Sequence, residues 1–445
     1  MNPPNLNNHQ SHSRRDFLKT TSAAVAGASV LGGLSIERGA FAAGSDTLKV
    51  ALVGCGGRGS GAADQALSTK APLKLVAMAD VFKDRLEGSL RDLTNRHKDK
   101  VDVSPDRQFI GFDAYKQAIA LADVVILATP PGFRPMQFEE AVKQGKHVFT
   151  EKPVGTDAPG IRRFLAAAEL SKQKNLKVVV GLQRHYQEGY RETIQRLHDG
   201  AIGDIVSMRA YWNGSTPWLN RRADLEKNYG RKLTEMEYQM RNWYYFTWIC
   251  GDHIVEQHVH NLDVINWVKK GYPVRAEGMG GCEVRKGLDY GEIFDHHAVE
   301  FEYEDGSRLF SFCRHINGCW NAVSEHVVGT KGTCDVSGYT IRGSTPWRFR
   351  REGARNPYQQ EHDELFEAIL ADKPLNDAEN GAKSTFTAIL GRLCTYSGKM
   401  IEWKDALNSD INLFPDTLAW DASPKSLPDA NGLYKLAVPG QSVCV

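Results

Sequence analysis

The sequence predicts an α/β protein in which a doubly wound domain with a parallel sheet precedes an α+β domain with a large, mainly antiparallel open sheet. Short apolar runs alternate with helical segments over residues 47–170, as expected of β-α-β units. Alternating runs joined by a short turn follow over residues 298–312, as expected of a hairpin. A length of 445 residues exceeds one ordinary core, so we place a second domain at residues 171–404.

The composition indicates a globular protein with a small, largely uncharged ligand. Hydrophobic residues make up 41% of the chain and charged residues 24%. The formal net charge is only +1, so no strong field attracts nucleic acid, and we expect no nucleic-acid partner. The eight cysteines include no CxxC pair, which argues against zinc-ribbon and thioredoxin-like sites. The sequence alone does not decide whether Cys313 and Cys319 form a disulfide bond.

Residues 1–43 resemble a twin-arginine export signal. The segment Ser13–Lys19 reads SRRDFLK, a weakly apolar stretch follows, and Ala40-Phe41-Ala42 offers a small-x-small cleavage site. The apolar stretch is too short and too rich in glycine for a membrane span. We therefore expect an exported, periplasmic protein that meets the twin-arginine machinery and has no membrane span in its mature form.

The first domain begins with a glycine-rich loop. The apolar run of residues 48–53 leads into GCGGRGSG, in which Gly54, Gly56 and Gly59 match GxGxxG. These glycines permit a tight turn, close approach of the backbone to a pyrophosphate, and close packing of helix on strand. Gly57 and Arg58 lie in the same loop, ahead of a helix whose free N–H groups favour anions. The pattern predicts a Rossmann domain that binds a dinucleotide.

An acidic residue after the second strand indicates which dinucleotide. Residues 73–79 form an apolar run that ends at Asp80, about twenty residues past the glycines, where an acid binds the adenosine ribose hydroxyls. A carboxylate there repels a 2′-phosphate, so NAD is favoured. Lys83 and Arg85 follow closely and keep NADP open.

Two later strands place further residues at the same crevice. The run 122–128 ends in Thr129-Pro130, and the run 146–150 leads into Glu151-Lys152-Pro153. Parallel strands present their carboxyl ends at one edge of the sheet, where ligands of this fold bind. We therefore expect Thr129, Pro130, Glu151 and Lys152 to contact the cofactor, with a cis bond possible before Pro153.

Together these motifs resemble the Gfo/Idh/MocA family of NAD(P)-dependent oxidoreductases, and the resemblance extends from about Thr47 to about Lys404. It implies a sugar or polyol substrate, a place for Lys152 at both cofactor and substrate, and an open sheet that mediates a homodimer or homotetramer. It also implies that the segment with Arg184, His185 and Tyr186 reaches the active site, where these residues are candidates for substrate contacts.

The segment 251–267 supplies the predicted acid/base. Its pattern predicts one continuous helix, on which Glu256 and His260 are four residues apart and share a face. Histidine titrates near neutral pH, so we expect His260 to move the proton and Glu256 to orient it or bind substrate; the family commonly has Asp in place of Glu256. His258 is a candidate for substrate hydroxyls. The spacing is not HExxH, so no metal site is predicted.

Aromatic residues suggest a carbohydrate platform. Trp218 and Trp243 are candidates for stacking on the C–H faces of a sugar, while core or subunit contacts are the alternative. The polar insert at residues 216–242 is expected to be a lid or an oligomer arm. Late helices at 361–370 and 378–396 are expected to close the fold, with packing back on the first domain possible. The tail at 405–445 is expected to wrap the surface or a neighbouring subunit.

Three functional hypotheses follow. The leading one is an exported oxidoreductase with tightly bound NAD that transfers hydride from a sugar, glycoside or polyol, because a cofactor carried out with the protein cannot easily be replaced. The first alternative is a redox-neutral glycoside hydrolase or lyase that oxidises its substrate transiently. The second alternative is a sensor that binds dinucleotide or sugar without turnover.

Overall fold

The computed structural model describes residues 47–350 and 353–445. The predicted export signal therefore lies outside the described residues. Within the described ranges, no helix is both long and apolar enough to cross a membrane.

The first domain is built on a six-stranded parallel sheet in the order β3-β2-β1-β4-β5-β6. The strand order reverses between β1 and β4, and the crevice at such a point is where this fold binds ligands. Alternate residues of β4 point to opposite faces: Val125 joins the hydrophobic cluster on one side of the sheet and Val124 the cluster on the other. The strands are β1 (Leu48–Val53), β2 (Leu73–Asp80), β3 (Gln108–Ile110), β4 (Val124–Leu127), β5 (His147–Thr150) and β6 (Val178–Val180).

Helices cover both faces of this sheet. Gly59 lets the first helix lie close to the glycine loop, since a Cβ there would lie 1.9 Å from the Gly54 carbonyl oxygen. The helices are α1 (Gly57–Leu67), α2 (Lys83–Arg96), α3 (Ala114–Ala120), α4 (Arg134–Lys143) and α5 (Ala158–Gln173).

The second sheet has nine strands in the order β14-β13-β12-β11-β7-β10-β9-β8-β15. Only β7 and β10 pair in parallel; the other neighbours are antiparallel, so the predicted α/β fold class is confirmed. The strands are β7 (Ile205–Gly214), β8 (Arg275–Gly281), β9 (His296–Glu302), β10 (Arg308–His315), β11 (Ala322–Gly329), β12 (Gly332–Asp335), β13 (Thr340–Gly343), β14 (Trp347–Arg348) and β15 (Ile401–Glu402).

The later helices join the two sheets. The long helix α13 is buried along most of its length and packs on β8 and β9 as well as on α5 of the first domain, while α12 packs on α1. The helices after β6 are α6 (Glu188–His198), α7 (Arg222–Tyr229), α8 (Glu235–Arg241), α9 (Thr247–Cys250), α10 (His253–Glu256), α11 (Val259–Lys269), α12 (Pro357–Leu370), α13 (Ala378–Ser397) and α14 (Trp403–Asn408).

The single helix predicted over residues 251–267 is wrong. Helix α10 ends at Glu256 and α11 begins at Val259. The Glu256 carbonyl oxygen, which would accept the amide of residue 260 in a continuous helix, instead accepts a hydrogen bond from Lys152 Nζ at 2.7 Å. The His260 amide donates to the Gln257 carbonyl oxygen, at 3.3 Å. The Lys152 side chain thus lies at the position where the helix is interrupted.

Candidate active site

A cleft of about 750 Å³ lies at the carboxyl ends of the parallel strands and extends to side chains of the second domain. Every residue predicted to bind the cofactor lines it, and so do both other predicted catalytic residues and three of the predicted substrate contacts. These are Gly54, Gly56, Gly57, Arg58, Gly59, Asp80, Thr129, Pro130, Glu151, Lys152, Glu256, His260, Arg184, Trp218 and Trp243.

The glycine loop leaves a gap, here called the cradle, beside Gly56 and Gly57. Gly54 has φ +93°, and a Cβ there would lie 2.5 Å from the Thr129 amide nitrogen. A Cβ at Gly56 or Gly57 would meet nothing within 4 Å. Helix α1 begins at the cradle and has no acidic residue in its first turn. Open space beside free N–H groups fits the pyrophosphate of a dinucleotide.

Arg58 connects the glycine loop to the segment that follows β5 and contains Lys152. Its guanidinium pairs with Glu151, and Nη2 lies 3.4 Å from Glu361 Oε1. Burial alone would lower the pKa of Arg58, but the two carboxylates raise it overall, so Arg58 is charged. Gly181 makes room for this pair, because a Cβ there would lie 2.7 Å from Glu151 Oε2. The ion pair fixes the loop relative to the end of β5.

Asp80 is held at the end of β2 by two backbone groups. Its Oδ2 accepts from the Cys55 amide at 2.7 Å and its Oδ1 from the Phe82 amide at 2.8 Å. Burial raises the pKa of Asp80, and these two hydrogen bonds lower it in part. A carboxylate oxygen accepts two hydrogen bonds, so each retains capacity for a ribose hydroxyl.

Lys152 brings a cation from the first domain to the second. The Lys152–Pro153 peptide bond is cis. Besides its bond to the Glu256 carbonyl oxygen, Lys152 Nζ lies 3.6 Å from Glu256 Oε1, and both side chains are largely buried. The ammonium is thus anchored at one residue of the second domain and lines the cleft.

A buried arginine that sequence reasoning missed supports the same region. Arg134 donates to the carbonyl oxygens of Thr129, at 2.6 Å, and Pro153. Burial lowers its pKa to about 10, so it still carries a charge at neutral pH. It joins the chain segments that follow β4 and β5. The sequence gives no local signal for this role, because the partners are main-chain atoms distant along the chain.

His260 is buried and neutral. Its ring stacks on Trp212 with centroids 6.0 Å apart, and its Nδ1 has no hydrogen-bond partner among the described residues. Burial, followed by the charges of Lys152 and Arg184, holds its pKa well below the ordinary value. The neutral imidazole has a nitrogen lone pair that can accept a proton, while burial and the neighbouring cations oppose the positive charge that the proton brings.

Glu256 does not orient His260 as expected. Within the described residues no hydrogen bond joins their side chains; Glu256 contacts Lys152 instead, and its Oε2 has no partner there. Burial raises the pKa of Glu256, while Lys152 lowers it in part. The interruption between α10 and α11 removes the shared helix face on which the orienting role depended.

Three predicted substrate contacts are not among the residues that line the cleft. His185 Nε2 is 2.8 Å from Asp263 Oδ2 and its ring stacks on Trp267. Tyr186 donates to Asp377 Oδ2 at 2.5 Å. His258 Nε2 is 2.8 Å from Ser311 Oγ, and burial lowers its pKa to about 3. Each of these side chains thus has a polar partner within the protein, and the ring of Tyr186 also belongs to the hydrophobic cluster of the first sheet.

Arg184 lines the cleft but is also an internal anchor. Its guanidinium pairs with the fully buried Glu325, which accepts further hydrogen bonds from Asn261 Nδ2 at 2.6 Å and Tyr190 OH at 3.1 Å. Its positive charge contributes to the lowered pKa of His260. Arg184 therefore acts on the site through electrostatics as well as through its position.

Aromatic side chains form one wall of the cleft. Trp218 and Trp243 have ring centroids 5.7 Å apart at 59°, and Trp218 lies 6.1 Å from Tyr244. Trp218 is 44% exposed although its ring contacts Trp243 and Tyr244. An exposed tryptophan at the rim of a cleft presents a flat apolar surface to a ligand.

A buried polar cluster lies behind this wall and was not predicted. Asp252 Oδ1 is 2.8 Å from His253 Nδ1 and 3.4 Å from His297 Nε2, and its Oδ2 accepts from Tyr396 OH at 2.6 Å. These donor atoms are close enough to suggest a metal site. Arg285 Nη2, however, lies 3.5 Å from His253 Nδ1, and a guanidinium so near opposes a second cation. We assign no metal to this cluster.

Comparison with known proteins supports the interpretation of the first domain. Residues 48–182 match the model of the Gfo/Idh/MocA family, described as "Oxidoreductase family, NAD-binding Rossmann fold". For these residues the resemblance seen in the sequence is confirmed.

Curated relatives match about half of the chain. An inositol 2-dehydrogenase from Cereibacter sphaeroides is 28% identical over 222 residues, which cover 50% of this chain and 54% of that protein. An inositol 2-dehydrogenase from Agrobacterium fabrum is 31% identical over 173 residues, 38% of this chain and 47% of that protein. A 2,7-anhydro-N-acetylneuraminate hydratase from Escherichia coli is 24% identical and covers 49% and 56%. The chain thus spans about half the length of the curated relatives it matches.

Solved structures share the fold over a longer stretch. Scyllo-inositol dehydrogenase from Lactobacillus casei, solved with NAD(H) and scyllo-inositol, is 22% identical with a TM-score of 0.59 and covers 81% of this chain and 100% of that chain. Aldose-aldose oxidoreductase from Caulobacter crescentus, complexed with glycerol, is 17% identical with a TM-score of 0.62 and covers 80% and 100%. At these identities the likeness establishes the two-domain fold.

Proposed function

We propose that the protein is an NAD-dependent oxidoreductase that acts on a sugar, glycoside or polyol. The observation that carries the proposal is the meeting of Lys152 and His260, from different domains, in one cleft that begins at the cradle. The similarity to inositol dehydrogenases and to an aldose oxidoreductase supports the substrate class.

The residues divide the chemistry between them. Bound NAD supplies the hydride acceptor. His260, neutral at neutral pH, takes the proton of the substrate hydroxyl, and the Lys152 ammonium stabilises the negative charge that develops on that oxygen. Glu256 holds Lys152 in place through its carbonyl oxygen and carboxylate. Trp218 and Trp243 stack on the substrate.

NAD is preferred over NADP in this proposal. The Asp80 carboxylate lies at the end of β2 with capacity for ribose hydroxyls, and it would repel a 2′-phosphate. Arg85 also lines the cleft. Asp80→Ser is expected to raise the affinity for NADP relative to NAD, which equilibrium titration of both dinucleotides measures.

The proposal includes export with the cofactor already bound. The SRRDFLK segment supports the twin-arginine route, which carries folded proteins. Purification without added cofactor, denaturation, and mass spectrometry of the released small molecules tests tight binding. NAD at close to one per chain supports it. A protein that is empty but binds and reduces added NAD is an ordinary dehydrogenase, and one that binds neither dinucleotide contradicts the proposal.

A redox-neutral reaction is the second candidate. The similarity to the 2,7-anhydro-N-acetylneuraminate hydratase favours it, because hydration leaves the substrate without net oxidation. Transient oxidation beside a glycosidic carbon acidifies the neighbouring C–H bond, so that a leaving group departs before the ketone is reduced. Release of product without accumulation of NADH identifies this scheme, whereas one NADH per product identifies a dehydrogenase.

We also propose that the second sheet mediates a homodimer or homotetramer. Met279, Ala298, Phe312 and Tyr211 are partners in register across four strands, so their side chains share one face. Met279 is 78% exposed and Phe312 37% exposed. Light scattering is expected to give two or four chains, and Phe312→Glu is expected to give one.

A further inference from the structure

One hydrophobic cluster joins three regions that are far apart in the sequence. These are the phenylalanines at positions 82, 112 and 133 that line the cleft, the insert at residues 216–242, and the tail, defined from here on as residues 409–445. The insert contributes the helices α7 and α8, and the tail has no helix or strand within the described residues. The cluster includes Phe82, Phe112, Phe133, Leu413, Phe414 and Trp420.

Trp420 of the tail supports the adenosine end of the cleft. Its ring centroid lies 5.3 Å from that of Phe82 and 4.7 Å from that of Phe112. Phe82 and Phe112 both line the cleft and follow β2 and β3, next to Asp80. Asp80 marks where the adenosine ribose binds, so Trp420 contacts the two side chains beside that site.

A second tail residue, Phe414, also packs on a side chain that lines the cleft. Phe414 lies 5.3 Å from Phe133, which lines the cleft, and 5.7 Å from Trp248. The amide of Leu413 donates to Asp157 Oδ2 at 2.8 Å, at the beginning of α5. The tail therefore contacts the first domain before Phe414, through Leu413, and after it, through Trp420.

The insert reaches the same place from the second domain. Both Nη atoms of Arg241 donate to the Asp84 carboxylate, at 2.9 and 2.6 Å. The guanidinium carbon of Arg241 also lies 3.5 Å from the centroid of the Phe82 ring. Phe82 is thus in contact with the insert and with the tail.

The insert and the tail also bind each other. Gln239 Nε2 donates to the Ser426 carbonyl oxygen at 2.7 Å, and Arg222 Nη2 to Tyr434 OH at 3.1 Å. Tyr434 OH bonds to Glu235 as well. Movement of the insert away from Phe82 therefore disturbs the tail.

From these contacts we infer that Trp420 and Arg241 are positioning residues for the dinucleotide, which clamp Phe82 and Phe112 over its adenosine half and make its dissociation slow. The inference rests on the proposed function, because it concerns the cofactor proposed there. Outward movement of Phe82 together with the adjoining start of α2, which would open the adenosine end, breaks both the Trp420–Phe82 contact and the paired hydrogen bonds from Arg241 to Asp84.

The test measures dinucleotide release from the full chain. The protein is loaded with isotopically labelled NAD, chased with excess unlabelled NAD, and the retained label is followed over time. Trp420→Ala is expected to release the label at least about tenfold faster, because it removes two aromatic contacts. Leu427→Ala is the matched control: Leu427 lies in the same tail, is 50% exposed and is not part of the cluster, so its release rate should equal that of the wild type.

A milder variant keeps the hydrophobic cluster intact. Asp84 is 62% exposed, and Asp84→Asn removes the ion pair with Arg241 without touching an aromatic ring. We expect about threefold faster release, in keeping with a partly exposed ion pair. This variant decides the matter if Trp420→Ala does not fold.

The outcomes separate the clamp from the proposed function. Release from Trp420→Ala or Asp84→Asn at the wild-type rate overturns the clamp while leaving the cofactor assignment intact. A wild-type protein that binds no dinucleotide under any condition overturns both. Slow release from the wild type, with faster release in both variants and not in Leu427→Ala, supports the clamp.

Discussion

Two glycines three residues apart are expected to respond in opposite ways to alanine. A Cβ on Gly59 would lie 1.9 Å from the Gly54 carbonyl oxygen, whereas ordinary Cβ contacts are 3.4–4 Å. The obstacle is main chain and cannot rotate away. Gly59→Ala therefore costs about 1–3 kcal/mol of stability, the usual range for forced overpacking.

Gly56→Ala has the opposite profile. Gly56 has φ −72° and ψ −178°, which alanine adopts easily, and no atom lies within 4 Å of the added Cβ. The free energy of unfolding should stay unchanged or rise by about 0.4–1 kcal/mol, because the unfolded chain loses freedom. The methyl group fills the cradle, however, and keeps a pyrophosphate from the free N–H groups. Loss of even one charge-assisted hydrogen bond, about 1.5–3 kcal/mol, weakens NAD binding at least about tenfold.

Thermal unfolding of the apoprotein and calorimetric titration with NAD measure the two quantities separately. The expected pattern is a lower unfolding temperature for Gly59→Ala, and weaker binding at wild-type stability for Gly56→Ala. Wild-type NAD affinity in Gly56→Ala would refute the assignment of the cradle, and wild-type stability in Gly59→Ala would refute the packing argument.

The remaining predictions concern the proposed base, the pH dependence of the free energy of unfolding, and the aromatic wall of the cleft. His260→Asn should lower turnover at least about a hundredfold in a steady-state assay if the imidazole moves the proton; near-normal turnover removes His260 from the mechanism. Burial lowers the pKa of His362 to about 3, so below the unfolded pKa of about 6.5 the unfolded chain binds a proton at this residue before the folded chain does. Its contribution to the free energy of unfolding is therefore fully present above about pH 6.5 and falls by about 1.4 kcal/mol per pH unit below that. His362→Leu should therefore flatten the decline of the free energy of unfolding in urea between about pH 6.5 and 4.5, and an unchanged slope would count against this. Trp218→Ala should raise KM for the sugar about tenfold and leave NAD release unchanged; an unchanged KM would show that the wall does not bind substrate.

The first domain could be predicted from the sequence because its signals are local. A buried parallel strand is a short apolar run, and the glycine loop encodes its own turn. Asp80 is the last residue of β2, Thr129 and Lys152 lie two positions past the ends of β4 and β5, and parallel strands bring their ends together. Composition and order along the chain are therefore enough to gather these residues in one cleft.

The missed features depend on contacts between distant segments. Arg134 binds carbonyl oxygens, which any residue provides, so no side-chain pattern reveals it. At the interruption of the 251–267 helix the Glu256 carbonyl oxygen bonds to Lys152, about a hundred positions earlier in the chain. Trp420 belongs to a tail without periodicity, and only the fold brings it into contact with Phe82 and Phe112. Sequence patterns report local conformation and burial, whereas these features are set by tertiary packing.

The most direct test of hydride transfer is a single-turnover experiment on the NAD-loaded protein. It is mixed rapidly with a panel of sugars, glycosides and polyols while the near-ultraviolet absorbance of reduced nicotinamide is recorded. Both enzymatic schemes predict that one or more compounds produce this absorbance, lasting for a dehydrogenase and transient for a redox-neutral enzyme, and that His260→Asn slows its appearance. A loaded protein that shows no reduction with any compound of the panel would contradict hydride transfer and leave a protein that binds dinucleotide without turnover.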